Sequence, residues 1–338
     1  MEIYRAKFYL SRNKNKLLRI FILLSIVIAL MIFGILYINM NSQNNYATQK
    51  FIECNNNSLI YRDASGNIFD KIELNNQQVV YSRNNTAEFI LIDNKIKTIS
   101  IEEEKITLTD YQDLTNHNLI NINKFEVFNK YILVDNGQKY LINNETNSVS
   151  DITALTYKDI WIVDTYLYYL DNNNVIHILN IEATDFTNLD AITQTEIKLD
   201  FRKETVDIYQ LNDTTIQLIN KFGDGNKTNC LFTYEIGTNN LKGLQKLNIG
   251  TSYPLKFRNS EYTYGYIYQK GSLYYAKLIN KENKESSKEL QIKEYSEDMF
   301  LYEDILTYPE DNHIIMKVAN KKTIIYKSEE NCRMIIVV

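Results

Sequence analysis

Apolar and polar positions alternate in short runs along most of this chain, and the runs are broken by clusters of Asn, Asp and Gly. The segment YLYYLDNNNVIHILNI (Tyr166 to Ile181) is typical, with an aromatic-rich run, turn-forming residues and a second alternating run. The same grammar returns in FILIDNKIKTIS, YILVDNGQKYLI, IYQLNDTTIQLI, CLFTYEIGTNNLKGL, YGYIYQKGSLYYAKLI and HIIMKVANKKTIIYK. Strands rich in Ile, Val, Tyr and Thr separated by residues that tolerate positive φ predict β-hairpins. The turn centres fall near residues 65, 94, 136, 172, 212, 238, 271 and 320, at a mean spacing of about 36, within the range of repeat architectures. A hairpin cannot bury both of its own faces, whereas radially packed four-stranded units of roughly 40 to 45 residues bury them and leave only short edges. The expected fold over 51–338 is therefore an all-β propeller of about seven blades, within a range of six to eight. Tandem β-sandwiches are the alternative, and a solenoid fits poorly because the period drifts.

One stretch obeys a different rule. From Ile20 to Ile38 runs IFILLSIVIALMIFGILYI, 19 residues without a charge, which as a helix at about 1.5 Å per residue matches a hydrocarbon core of about 30 Å. The run is longer than the apolar part of a cleavable signal, and no small-residue cleavage pattern follows it, so a retained signal-anchor helix is expected. Arg5, Lys7, Arg12, Lys14, Lys16 and Arg19 precede it against Glu2 alone, and no basic residue follows before Lys50. The positive-inside rule then makes 1–19 a cytoplasmic basic tail, 20–38 a single transmembrane helix, 39–50 a polar stalk and 51–338 an extracytoplasmic domain of a cell-membrane protein. The tail carries +5 of a net −5, leaving −10 on the rest, a balance unsuited to nucleic acid, which is not expected as a partner. Asn, Ile, Lys and Tyr, all with AT-rich codons, are abundant and point to a low-GC bacterial genome.

Segments such as YLYYLDNNNVIHILNI and YGYIYQKGSLYYAKLI resemble the strand-turn-strand units of YWTD-type β-propellers, although no YWTD tetrapeptide occurs. The resemblance implies architecture and no ligand residues. RDASGNIF (Arg62 to Phe69) is similar to the Asp-box turn of other propellers, without the Ser before the Asp and without the Trp.

Candidate chemistry is sparse. Of three histidines, His117, His177 and His313, His177 alternates with Ile176 and Ile178 and reads as a hydrogen-bonded sheet residue. No HExxH, GxSxG, P-loop or GxGxxG pattern occurs, so no catalytic residue is assigned and no cofactor is expected. IEEEK (Ile101 to Lys105) reads as solvated strand, its side chains alternating between faces. Asp224, Asn226, Thr228 and Glu235 occupy positions 1, 3, 5 and 12 of a calcium loop, yet Asn229 stands where that loop needs Gly, so a plain hairpin and no metal are expected. In EYTYGYIY, Tyr262, Tyr264, Tyr266 and Tyr268 share one strand face. A ladder of amphipathic rings suits stacking on sugars or gripping a protein strand, although blade packing uses tyrosines in the same way. Cys54 opens the domain and Cys332 lies near its end. If ring closure pairs the strands that carry them, a disulfide becomes geometrically possible; otherwise all three cysteines are buried small hydrophobes.

The reading that follows is a membrane-anchored binding, scaffold or sensor module for a protein, a peptide or a cell-wall ligand. The alternative is an extracytoplasmic hydrolase or lyase with carboxylates from several blades.

Overall fold

The computed structural model describes residues 24–28, 30–32 and, within 48–338, all but short breaks at 76–77, 85, 158, 174, 187–194, 199–204, 213–214, 222–228, 236–239, 248–251, 259–261, 281–286, 293–294, 297, 303–304, 311–312, 319–322 and 329–330. By internal packing the chain forms two units, Met1–Lys50 with Asp63–Asn67, and Phe51–Arg62 with Ile68–Val338.

In the first unit, residues 24–28 and 30–32 are helical and their side chains are exposed, Leu24, Leu30 and Met31 each by more than half. No helix among the described residues is long and apolar enough to cross a membrane; much of the Ile20–Ile38 run lies outside the described residues. The turn Asp63–Asn67 closes on its own carboxylate. Asp63 Oδ1 accepts from Ser65 N (2.9 Å), Ser65 Oγ (2.6 Å) and Asn67 N (2.9 Å), Asn67 Nδ2 donates to Oδ2 (2.8 Å), and Gly66 supplies φ +98. The missing Ser and Trp of the Asp-box pattern are not needed for this geometry.

The second unit is all-β. The chain lays down β1 (Lys50–Asn55), β2 (Ser58–Asp63) and β3 (Ile68–Glu73), then a second sheet from β4 (Val80–Arg83), β5 (Glu88–Ile92), β6 (Lys95–Glu102) and β7 (Lys105–Asp113). The third holds β8 (Lys124–Phe128), β9 (Tyr131–Asp135), β10 (Lys139–Asn143) and β11 (Val149–Asp151), and the fourth β12 (Asp159–Val163), β13 (Tyr166–Leu170), β14 (Val175–Asn180) and β15 (Thr195–Lys198). The fifth comprises β16 (Thr205–Asn212), β17 (Thr215–Lys221), β18 (Asn229–Glu235) and β19 (Asn240–Leu247). From β20 (Ser252–Pro254) and β21 (Lys256–Arg258) the chain continues into β22 (Tyr262–Lys270), β23 (Leu273–Asn280) and β24 (Ser287–Ile292), then β25 (Phe300–Tyr302), β26 (Ile305–Glu310), β27 (His313–Val318), β28 (Thr323–Lys327) and β29 (Cys332–Val337). Here β20 joins β22–β24 as the sixth sheet, β21 joins β25–β28 as the seventh, and β29 returns to β1 in the first.

Among the described residues six sheets are regular four-stranded blades, inside the expected range of six to eight and one below its central figure of seven. The seventh differs because β20 and β21, separated by Leu255 alone, lend one strand to each of two neighbouring sheets. As a result, β21 adds to β25 in parallel, and this sheet has five strands.

Alternation along single strands shows why the sheets stack around a ring. In β5, Ile90 and Ile92 enter a core with Ile52, Leu59 and Met334 of the first sheet, while Phe89 and Leu91 enter another with Phe125 and Ile132 of the third. In β9, Ile132 and Val134 join that second core, while Tyr131 and Leu133 pack on Ile160, Leu167 and Leu179 of the fourth sheet. Each such sheet is apolar on both faces because it is covered on both, which two-layer sandwiches do not require of every sheet. Closure is direct, since β1 pairs antiparallel with β29 from Phe51↔Val337 to Asn55↔Cys332. This is a β-propeller.

The expected turn centres near 65, 94, 136, 172 and 271 fall between paired hairpin strands and that near 212 at the end of β16, while those near 238 and 320 lie outside the described residues. Asp93-Asn94 links β5 to β6 with φ 50 and 59, the consecutive positive φ values that a tight two-residue hairpin demands. The IEEEK reading needs correction. Glu103 and Glu104 are exposed as expected but lie outside the strands, forming the two-residue loop between β6 and β7 with φ 50 and 62.

Candidate functional site

Among the described residues of the propeller unit, polar groups converge at three places. The first is a buried seam where the first, second and seventh sheets meet. Glu88, at the start of β5, is Arg83's register partner, yet its carboxylate accepts from Arg258 Nη2 at 2.6 Å. The Tyr302 hydroxyl stands 2.8 Å from Glu88 Oε1 and 3.0 Å from the Ile335 carbonyl. Arg83 Nη1 reaches that hydroxyl and that carbonyl at 3.4 Å each, with its guanidinium 4.7 Å from the Phe300 ring centre. Burial pushes the Tyr302 hydroxyl well up, Glu88 adding to the effect and the two arginines opposing it, so Tyr302 stays a proton donor at physiological pH. A deeper pair lies beside it. Glu53 and Arg62, 1% and 2% exposed, stand 3.6 Å apart; Ser328 donates to Glu53, and Arg62 donates to the Tyr326 hydroxyl while lying 5.1 Å from its ring centre. These contacts tie β1 and β2 to the end of the seventh sheet. Their groups are directed at one another, which is the chemistry of a clasp.

The second place is His177 in β14. It is buried, stacked on its register partner Tyr169 (4.6 Å between centres, 17° between planes), with Nε2 3.0 Å from Asp171 Oδ2. Asp171 also accepts from the Asn173 and Val175 amides at 2.8 Å. Burial alone would raise this carboxyl, but the His177 and amide hydrogen bonds prevail and hold it below the usual range. His177 is the sheet residue expected of it, fixing the turn of the opening phrase.

The third is an open groove of about 350 Å³ at the end of β7. Asp110, Tyr111, Gln112 and Asp113 line it from the strand, Asn116 and His117 from the 3-10 turn Thr115–His117, and Asn147 from the loop after β10. Gln112 is buried and donates to Asn147 Oδ1 at 2.7 Å, fixing the groove floor; the Tyr111 hydroxyl donates to the Asn129 carbonyl at 2.9 Å and its ring meets Phe89 edge-on. Hydrogen bonding and charge from Lys97 hold Asp110 low, and hydrogen bonds from the Thr115 side chain and amide, with Lys95 behind them, do the same for Asp113. Both carboxylates are therefore ionised at neutral pH and serve as acceptors; neither is set to hand over a proton. Sequence reading missed this site, because its residues look like solvated strand and loop; only the break from β7 into a helical turn, DLTNH, marks it.

The tyrosine row is placed only in part. All four residues lie on β22, but the side chains of Tyr262, Tyr264 and Tyr266 fall outside the described set, while half-buried Tyr268 stacks on Tyr275 across the hairpin at 5.5 Å. The calcium-like loop 223–228 also lies outside the described residues, and Glu235 ends β18. Among the described residues no group of three or more His, Cys, Asp or Glu is arranged to hold a metal ion. Cys54 and Cys332 are both buried, and their sulfurs are not bonded to one another in this structure.

No protein-family model matches the chain, and no curated protein matches it. Among solved structures it is similar to a chain of a nidogen–laminin complex (11% identity, 77% of this chain and 98% of that one, TM-score 0.43). It is also similar to apo AztD from Citrobacter koseri (10%, 86% and 97%, 0.44) and a putative 6-phosphogluconolactonase from Bacteroides fragilis (10%, 86% and 98%, 0.46). No functional residue passes from them to this chain. What the sheets and their closure define is the class: an all-β propeller.

Proposed function

We propose that this propeller is the extracytoplasmic part of a single-pass membrane protein, related in its repeat to the YWTD type, that binds or holds a protein, a peptide or a cell-wall polymer. The observation that carries the binding reading is the groove at the end of β7. It is open, floored by an amide pair and edged by ionised carboxylates, a donor and acceptor set suited to hydroxyl- or amide-rich ligands. The tether rests on the charge asymmetry around Ile20 to Ile38 and is supported by helical apolar residues 24–28 and 30–32 that turn large side chains outward, an arrangement that lipid accommodates and water does not. A photo-crosslinker at Asn116 in living cells should capture one dominant partner, and Asn147→Ala should weaken capture by about tenfold, near 1.4 kcal/mol, in protein checked to be folded, since losing the acceptor of buried Gln112 and a positive-φ Asn also lowers thermal stability. Capture unaffected by Asn147→Ala moves the contact elsewhere, and the tyrosine row is then next: Tyr264→Ala with Tyr266→Ala should abolish it. Protease added to wall-stripped cells should degrade the propeller while leaving the basic tail; full protection reverses the topology.

The hydrolase or lyase reading draws on one observation, the meeting of Arg83, Glu88, Arg258 and Tyr302 from three sheets. Those groups are engaged with one another, so the binding reading stands first.

A further inference from the structure

We propose that Cys54 and Cys332 are joined by a disulfide that locks the propeller ring, and that this bond forms only while β1 and β29 are apart. In the β1–β29 register Cys54 faces Met334, and a bulge at the next step sets Cys332 opposite Asn55. An unbroken ladder would place residue 333 there. The bulge therefore draws Cys332 one step towards Cys54. Cys332 is buried, Arg333 exposed and Met334 buried, so Cys332 and Met334 share a face, the face that Cys54 meets across the ladder. One further contact agrees. The Cys332 thiol donates to the Met334 carbonyl at 3.3 Å, which keeps its sulfur beside the residue that Cys54 faces, and hydrogen bonding from the Cys54 backbone opposes the effect of burial on the Cys332 thiol. Cys54 and Cys332 are thus offset by one step across the ladder; directly opposed residues sit about 4.5 to 5.5 Å apart and diagonal ones two steps off about 7 to 8 Å, so an offset of one step falls between these and reaches the limit of about 7 Å between Cα atoms for a disulfide.

The same burial decides when the bond can form. Cys54 is 0% and Cys332 7% exposed. Burial pushes the Cys54 thiol well up and the Cys332 thiol up to about 12. The thiolate is the attacking species, so in the closed ring it is scarce at neutral pH and out of an oxidant's reach. With the strands apart, one cysteine thiolate attacks a sulfur of a disulfide oxidant, releasing one thiol, and the second cysteine displaces the mixed disulfide, releasing another. Two electrons pass to the oxidant, and the two cysteine protons end on its two thiols. Once formed, the bond encloses nearly the whole domain and restricts the unfolded chain, the more so for its long loop. The proposal leans on the extracytoplasmic reading only for the supply of oxidant.

The full chain carrying Cys230→Ser, purified reduced in detergent, tests it in two arms. Oxidised glutathione is added in excess to the folded protein, or the chain is unfolded in urea and refolded in a glutathione redox pair; each sample is alkylated, denatured and mapped without reduction. The expected result is two alkylated cysteines from the folded arm and a Cys54–Cys332 linked peptide from the refolded arm, with a higher urea midpoint than Cys54→Ser treated alike. Absence of the linked peptide in the refolded arm overturns the bond, and equal linkage in the folded arm overturns the timing. If the chain does not recover from urea, the map is made on protein extracted from membranes after trapping of free thiols. A linked peptide there supports the bond, and two alkylated cysteines overturn it. The purified-protein arms do not depend on topology, so their failure is distinguishable from a failure of the protease experiment.

Discussion

Asparagine's abundance has a backbone reason. Of ten described non-glycine residues with positive φ, eight are Asn or Asp, including Asn75, Asn94, Asn118, Asn129 and Asp164, residue types whose short polar side chains make the left-handed region less costly. Others work through their acceptors. Asn84 takes the amides of Thr86 and Ala87, and Asn55 those of Asn57 and Ser58. Asp63, Asp113 and Asp171 do the same as carboxylates. Burial would raise Asp63, but hydrogen bonds from Ser65 and Asn67 hold it low, as local hydrogen bonds do for Asp113 and Asp171. A carboxyl lower in the folded than in the unfolded chain contributes stability above its unfolded value of about 3.9 and loses it as pH falls through the folded value. Unfolding followed from pH 5 downwards should therefore steepen over this range, and Asp63→Asn should flatten the slope. The deepest charges predict a second asymmetry. Arg62→Leu leaves Glu53 buried without its cation and should cost about 3 to 5 kcal/mol in urea unfolding, while adding Glu53→Met should recover much of that loss.

At the scale of the element, the hairpin grammar was legible because burial on both faces and tight turns leave separate marks, apolar runs in β13 and β14 and DNNN between them. His177 was legible too, since its alternation placed it inside a strand. Glu103-Glu104 was not, because acidic residues are poor markers for positive φ and nothing in their chemistry announces a turn. That mismatch is testable: Glu103→Asn with Glu104→Gly should raise stability by about 1 kcal/mol through relief of backbone strain, read as a higher urea midpoint with unchanged slope. The end of β20 and start of β21 were equally hidden, because one continuous SYPLKFR serves two sheets and its pattern does not say where the handover falls.

For the whole molecule, repetition made the ring legible, and closure followed from it, because a ring has to bring its first and last strands together. The clasp was not legible. Arg83, Glu88, Arg258, Tyr302 and Ile335 come from four separate stretches, and nothing along the chain links an arginine in KFR to a glutamate in AEFILI until the sheets stack. Deleting residues 332–338 removes one strand from the first sheet and takes away the Ile335 carbonyl that Tyr302 and Arg83 approach. It should abolish cooperative unfolding, in contrast to Arg258→Met, which should lower stability by about 3 kcal/mol and keep the transition sharp; the two are separable by near-UV circular dichroism during a urea titration.

The pairing of β1 with β29 also dictates an order of events during synthesis. The first strand of the domain is made long before its partner Cys332–Val337, so β1 waits with an open hydrogen-bonding edge while all the intervening strands are being made. An open edge invites pairing with other chains, and the hazard ends only once Cys332–Val337 has been made. A chain stopped just before Cys332 would thus retain every other sheet of the propeller and still lack the strand that closes its first sheet.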